Sequence, residues 1–191
     1  MPTPFATKPT LVGERATLRP FRADDVDALA EAIADPDVRR LTGSVHHPAF
    51  TVARLREWYA TRNAQTDRLD LAIVDNATGR CVGEVVLNEW DESNESCNFR
   101  ILIGPDGQGR GLGTEATTLV LRHAFTVLGL HRVELSVYAF NPRARRAYEK
   151  AGFVAEGVLR DALRLEDGRR VDAVVMAALA PHWLAGDHPG A

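Results

Sequence analysis

The chain has 191 residues, 45% hydrophobic and 26% charged, with a formal net charge of −3. This fits one soluble domain around a single core. Its slightly acidic balance, with scattered basic residues, leaves nucleic acid out as an expected partner. Cys81 and Cys97 form no C-x-x-C pair, and none of the six histidines stands at zinc-ligand spacing to them, so no metal is expected. The amino terminus lacks a leader pattern, and no apolar run approaches the roughly 18 to 20 residues that span a bilayer. The expectation is a cytoplasmic protein without a membrane partner.

Taken in chain order, residues 1–10 and 185–191 are rich in Pro, Gly and small residues and are expected to fray around a single domain at 11–184. Thr17-Leu18-Arg19 carries a short strand signal. A helix follows from Asp24-Asp25-Val26 to Ile33, with Val26, Leu29 and Ile33 on one face and Pro36 beyond its end. The stretch from Gly43 through His46 and His47 to Pro48 reads as a loop. Thr51 is placed to cap a helix whose apolar stripe is Val52, Leu55, Trp58 and Tyr59. Residues 69–74 and 81–87 read as strands joined by Asn76-Ala77-Thr78-Gly79. A polar turn at 91–95 leads to a third antiparallel strand at 96–103.

The pattern then changes. Residues 115–128 are helical, with Ala116, Leu119, Val120, Ala124 and Val127 inward, and Gly129 precedes a strand at 132–138. Asn141 as N-cap, Pro142 at the first position and Gly152 as stop define a short helix. Residues 154–165 and 169–179 close the domain as a hairpin around Glu166-Asp167-Gly168. The fold class is α/β with antiparallel strands in its first half.

The most informative segment is Gln108-Gly109-Arg110-Gly111-Leu112-Gly113-Thr114, between the strand Phe99-Arg100-Ile101-Leu102-Ile103 and the next helix. Its three glycines let the main chain approach a bulky anion, and the helix start leaves amide N–H groups unpaired with positive charge behind them. The lysine and hydroxyl of a nucleotide P-loop are missing, and the glycine spacing is not that of a dinucleotide fingerprint.

This segment resembles the Gln/Arg-x-x-Gly-x-Gly/Ala acyl-CoA loop of the GNAT superfamily of N-acetyltransferases, with Gln108, Gly111 and Gly113 on the signature positions. Asn141-x6-Tyr148-x3-Gly152-Phe153 is similar to a second motif of the superfamily, and of its RimJ/RimL-like branch in particular. Residues 156–161 and 168–172 also look like that branch. The resemblance implies a mixed, mostly antiparallel sheet of six to seven strands flanked by helices, with a V-shaped splay between the two central strands. It implies acetyl-CoA as co-substrate, an amine acceptor attacked in a ternary complex, and a homodimer. The diphosphate would rest on Gln108, Gly109, Arg110, Gly111, Leu112, Gly113 and Thr114. The pantetheine arm would pair with the main chain of Ile101, Leu102 and Ile103, where one N–H also receives the thioester oxygen.

Asn141, Arg145 and Tyr148 stand at i, i+4 and i+7 and are expected to line one wall. The resemblance gives Asn141 a hydrogen bond to the cofactor arm and makes Tyr148 the acid for the departing thiolate. A phenol near pKa 10 stays protonated at neutral pH. Arg143, Arg146 and Lys150 fall on another face, with at least two of them assigned to solvent.

The position where this branch often has a basic glutamate holds Asn98, which cannot take a proton. Glu84 is the replacement candidate, because it shares a strand face with Val82 and Val86. Glu95, Asp91 and a relayed water remain alternatives. Without an assured base, amines of low pKa are favoured, among them peptide or protein N-termini and small-molecule amines such as those of amino acids and amino sugars: an α-amino group is roughly 15–20% neutral at pH 7, a lysine amine about 0.04%. Asn98 also motivates a different class, an acyl-CoA-binding sensor without catalysis. A third reading uses succinyl-CoA, with Arg100 meeting its carboxylate. Cys81, Cys97, His123 and His131 are read as packing or surface residues. His46, His47 and Trp90-Asp91-Glu92 are read as loop residues bordering the acceptor entrance.

Overall fold

The computed structural model describes residues 3–44 and 50–188. The elements are β1 (Leu11–Val12), β2 (Ala16–Arg19), α1 (Asp25–Ala34), α2 (Pro36–Leu41), α3 (Val52–Arg62), β3 (Leu69–Asp75), β4 (Cys81–Asp91) and β5 (Ser96–Ile103), followed by α4 (Leu112–Thr126), β6 (Arg132–Tyr138), α5 (Pro142–Ala151), β7 (Val154–Arg164), β8 (Arg170–Leu179) and α6 (Ala180–Leu184). One sheet takes the strands in the order β1-β2-β3-β4-β5-β6-β8-β7. Its eight strands exceed the expected six to seven because the two-residue β1 pairs Leu11 and Val12 with Leu18 and Thr17. Every pairing is antiparallel except β5 with β6.

Strand alternation divides the core between two layers. Leu71, Ile73, Val85, Leu87 and Phe99 pack with Leu112, Ala116, Val120, Leu121, Ala124 and Phe125 of α4 and with Ala151 and Phe153 at the end of α5. Ala72 and Cys81 meet Phe21, Val26, Leu29, Leu55 and Tyr59 on the other face, under α1 and α3. The α1 and α3 layer thus covers the β3–β4 half of its face.

Several expectations are corrected by packing. Pro36 does not merely follow a helix but begins α2, whose cap is Asp35, its Oδ1 accepting from Val38 N at 2.9 Å. In α3, Leu55 and Tyr59 are buried while Val52 and Trp58 stay exposed; the Arg62 guanidinium lies 3.9 Å from the Trp58 ring centroid. α4 begins at Leu112, and Val127, expected inward, is 67% exposed because the helix has ended. The terminal segments hold more structure than composition suggests. Phe5 is fully buried against the edge of the Trp90 ring, at 6.3 Å between centroids, a burial worth about 1.5–3 kcal/mol. Trp90 therefore belongs to the core rather than to an entrance. Near the other end, Trp183 Nε1 donates to the Ala151 carbonyl at 2.8 Å and its ring stacks on His188.

Candidate active site

β5 pairs with β6 only through Ser96, Cys97 and Asn98, opposite Arg132, Val133 and Glu134. Beyond Asn98, β5 stays with β4 as far as Ile103 opposite Gly83, while β6 follows β8 as far as Tyr138 opposite Ala173. The sheet forks there, and the main chain of Phe99 to Ile103 loses a partner on one side. A cleft of about 350 Å³ lies along the fork, walled by Ile101, Leu102 and Ile103, by the glycine loop, by α5 and by Val38, Leu41 and Thr42 of the α2 region.

At one end of the cleft the backbone forms a cradle. Gly109 and Gly111 hold φ of 74° and 80°, conformations that L side chains avoid, and Gly111 caps α4 without any side-chain bond. The first helical bond at this end is Glu115 N to Gly111 O, 3.1 Å, so the N–H groups of Leu112, Gly113 and Thr114 are left to a ligand. A Cβ on Gly113 would stand 2.9 Å from Ile103 Cδ1, so helix start and strand end approach as closely as glycine allows. This is a fit for a diphosphate. Gln108, Gly109, Gly111, Gly113 and Thr114 line the cleft; the Leu112 side chain is buried in the core and contributes its amide alone.

The side chains of this loop act as braces. Gln108 Nε2 donates to the Ile103 carbonyl at 3.0 Å and its Oε1 accepts from Arg143 Nη2 at 2.7 Å, tying the strand end to α5. Arg110 reaches away to buried Asp75 at the end of β3, 2.7 Å, so only its backbone belongs to the cradle. Glu115, in the first turn of α4, also turns outward: its carboxylate accepts from the N–H groups of Glu14, Arg15 and Ala16 at 2.8, 2.8 and 2.7 Å. The sequence offered no local sign of that tether.

Asn141 caps α5, its Oδ1 accepting from Ala144 N at 3.1 Å, and it lines the cleft with Arg143, Ala144, Arg146, Ala147, Tyr148 and Lys150. Arg145 does not share this wall. It pairs with Glu149 at 2.9 Å over a separate shallow depression, because the helix turns about 100° per residue and the i+4 position has rotated past the cleft. Arg143, Arg146 and Lys150 are exposed, as expected, and also border the cleft; Arg146 and Lys150 have no ion pair among the described residues. The Tyr148 ring is held edge-on by Phe99 and Phe153, at 6.2 and 6.0 Å. Burial pushes its phenol up to about 12, and its hydroxyl has no hydrogen-bond partner among the described residues.

On the opposite face, Glu84 of β4 lies opposite Leu102 of β5, the residue that forms the cleft wall, and opposite Ala72 of β3. Sharing that face are Asp70, Arg100 and, from α3, Tyr59. Asp70 is taken by Arg68 through two bonds of 2.7 Å. The Tyr59 hydroxyl stands near the Glu84 carboxylate and favours its ionised form, and burial nonetheless pushes that carboxyl up to about 7. A carboxylate that is half-ionised near neutrality beside the fork is suited to accepting a proton.

The alternatives for the base stand elsewhere. The Asp91 carboxylate is held by Asn94 within its own turn, and exposed Glu95 closes the same turn with φ of 50°. Cys81 and Cys97 are free and buried, and burial pushes both thiols up to about 12, far from a nucleophile at neutral pH. His46 and His47 lie outside the described residues. Among those described, no cluster of His, Cys, Asp and Glu is arranged to hold a metal, and no helix is long and apolar enough to cross a membrane. Sequence reasoning passed over two parts of the site, Tyr59 and α2. Tyr59 looked like one more residue of an apolar stripe; the Asp35-Pro36 pair was a legible helix start.

A forked sheet and an amide cradle at a helix start, along one cleft, suit a long, diphosphate-bearing donor. Residues 15–154 match the acetyltransferase (GNAT) domain, and the chain belongs to that family of acetyl-CoA-dependent N-acetyltransferases. It is 33% identical over 168 residues to spermidine N(1)-acetyltransferase of Escherichia coli strain K12, covering 88% of each chain. It is 25% identical to the putative ribosomal N-acetyltransferase YdaF of Bacillus subtilis strain 168, over 90% of this chain and 95% of that one. Its fold is similar to that of spermidine N-acetyltransferase from Vibrio cholerae in complex with CoA and spermine, with a TM-score of 0.80, 27% identity, and coverage of 90% of this chain and 99% of the other.

Proposed function

We propose that the chain transfers the acetyl group of acetyl-CoA to the primary amine of a small acceptor by direct attack, with Glu84 as general base and Tyr148 as general acid. The reading is carried by the parting of β5 from β6 after Asn98, which puts free strand amides, the cradle and Tyr148 along one cleft. The donor's diphosphate is assigned to the amides of Leu112, Gly113 and Thr114, and its 3'-phosphate to Arg146 and Lys150. One free N–H of the Ile101 to Ile103 stretch is assigned to the acyl oxygen, where negative charge gathers during attack. Glu84 takes the proton from the amine, and Tyr148 returns one to the departing sulfur. A base near neutrality makes the reaction less dependent on a weakly basic acceptor than Asn98 alone suggested.

Placement in the RimJ/RimL-like branch is supported by the Asn141 to Phe153 motif and the likeness to YdaF. A small-molecule acceptor is supported by the likeness to the spermidine acetyltransferases, which are named for such a substrate. Incubating the protein with acetyl-CoA and a panel of amines while following free thiol tests the assignment. Acceptor-dependent thiol release, lost in Glu84→Gln, supports it; tight acetyl-CoA binding with no such release turns the chain into a donor-binding module.

A further inference from the structure

We propose that the acceptor is an amine that also carries a carboxylate within a few bonds, with Glu84 taking its nitrogen end and Arg100 its carboxylate end. This rests on the assignment of Glu84 as base and goes on to name the class of acceptor.

In the register of β4 and β5, Glu84 faces Leu102 and Val86 faces Arg100, so Glu84 and Arg100 are diagonal neighbours on one face. Such neighbours lie about 7–8 Å apart. The two side chains form no ion pair with each other. The other cations of this region are engaged. Arg19 is paired with Asp25 and Arg68 with Asp70, while Arg62 donates to the Trp58 carbonyl and the Thr61 hydroxyl. Lys8 donates to the Phe5 and Arg68 carbonyls. Arg100 is exposed and has no hydrogen bond or ion pair among the described residues. It stands two residues before Leu102, where β5 has already left β6, on the strand face it shares with Glu84.

An acidic group and a basic group on one face, close but not joined, complement a zwitterion. An amine bound at Glu84 with a carboxylate a few bonds away satisfies both, and the planar guanidinium can hold a carboxylate through two parallel bonds. A polyamine satisfies only the acidic end and sets a second positive charge against Arg100.

The experiment compares kcat/KM for α-amino acids, the same amino acids as amides, and spermidine, with acetyl-CoA as donor. The amide is the stringent control, because it keeps the amine, lowers its pKa and removes the charge. An acid preferred over its amide by about 10- to 100-fold, the range of a charged hydrogen bond, is expected. Arg100→Met should bring that ratio close to one, and Arg100→Glu should shift preference toward spermidine. A wild type that prefers amides or spermidine overturns the proposal, as does an Arg100→Met variant that slows all acceptors alike. Loss of succinyl-CoA use in Arg100→Met, with the acid-to-amide ratio unchanged, assigns the guanidinium to the donor and also overturns it. Failure of the base assignment reads differently: Glu84→Gln would then keep full turnover, while the acid-to-amide ratio still followed Arg100.

Discussion

The two halves of the cleft are built from different materials. The cradle half consists of main-chain amides, glycine conformations and one close approach of helix to strand, with side chains such as Gln108 and Arg110 serving as braces. The half proposed to react relies on single side-chain atoms, the Glu84 carboxylate on β4 beside the fork and the Tyr148 phenol on α5, each pushed up by burial. A backbone site fails when its shape changes and is indifferent to most side-chain chemistry. A side-chain site fails when one atom is replaced. The comparison therefore predicts that substitutions in the first half act on KM for acetyl-CoA and those in the second on kcat.

The largest effect is expected from Glu84→Gln, which keeps the shape and removes the base: kcat should fall by about 10²- to 10⁴-fold with KM for acetyl-CoA nearly unchanged, read from steady-state thiol release. A variant with intact kcat would break the division. Tyr148→Phe should lower kcat by about 10²-fold when chemistry limits the rate, leaving donor affinity by calorimetry close to wild type. For the other half, Gly113→Ala forces a methyl group against Ile103 and should raise KM for acetyl-CoA about tenfold, with kcat at saturation largely kept.

The pH dependence sharpens the same contrast. Glu84 faces Tyr59, Asp70, Arg68 and Arg100, and it must be ionised to act, so the rate should rise as pH climbs through about 7, a limb that Glu84→Gln should lack. Tyr148 keeps its proton up to about 12 and adds no falling limb near neutrality. The smallest effect is on stability. The Glu84 carboxyl holds its proton to a higher pH folded, about 7, than unfolded, near 4.5, so unfolding releases that proton between the two values. Stability should fall across that window as pH rises, by on the order of 3 kcal/mol, and stay lower above it. Denaturant titrations should find Glu84→Gln gaining on wild type at pH 8 relative to pH 4.

The cradle half was largely legible in the sequence, because its determinants are local. Glycines at fixed spacing, an N-cap at Asn141 and a stop at Gly152 act within a few residues, and β6 and α5 fall where those signals put them. The reacting half was legible only in part. Glu84 stood out as a carboxylate among apolar neighbours, but its partner Tyr59 comes from a helix more than twenty residues away and was hidden in an apolar stripe. Arg145 was misplaced because i, i+4, i+7 spacing describes a face without saying which neighbour it meets. Phe5 was missed because a single aromatic in a Pro-rich segment carries no periodicity, whereas the core it enters is assembled from distant strands.

Glu115 has a last consequence. An acidic side chain in the first turn of α4 is by position a rival for the amides that a diphosphate needs, and the turn at Glu14, Arg15 and Ala16 keeps it occupied. A methyl group at Gly13 would stand 2.8 Å from the Glu115 Cδ and evict it. The protein would then carry its own competitive inhibitor, released by a change some hundred residues earlier in the chain.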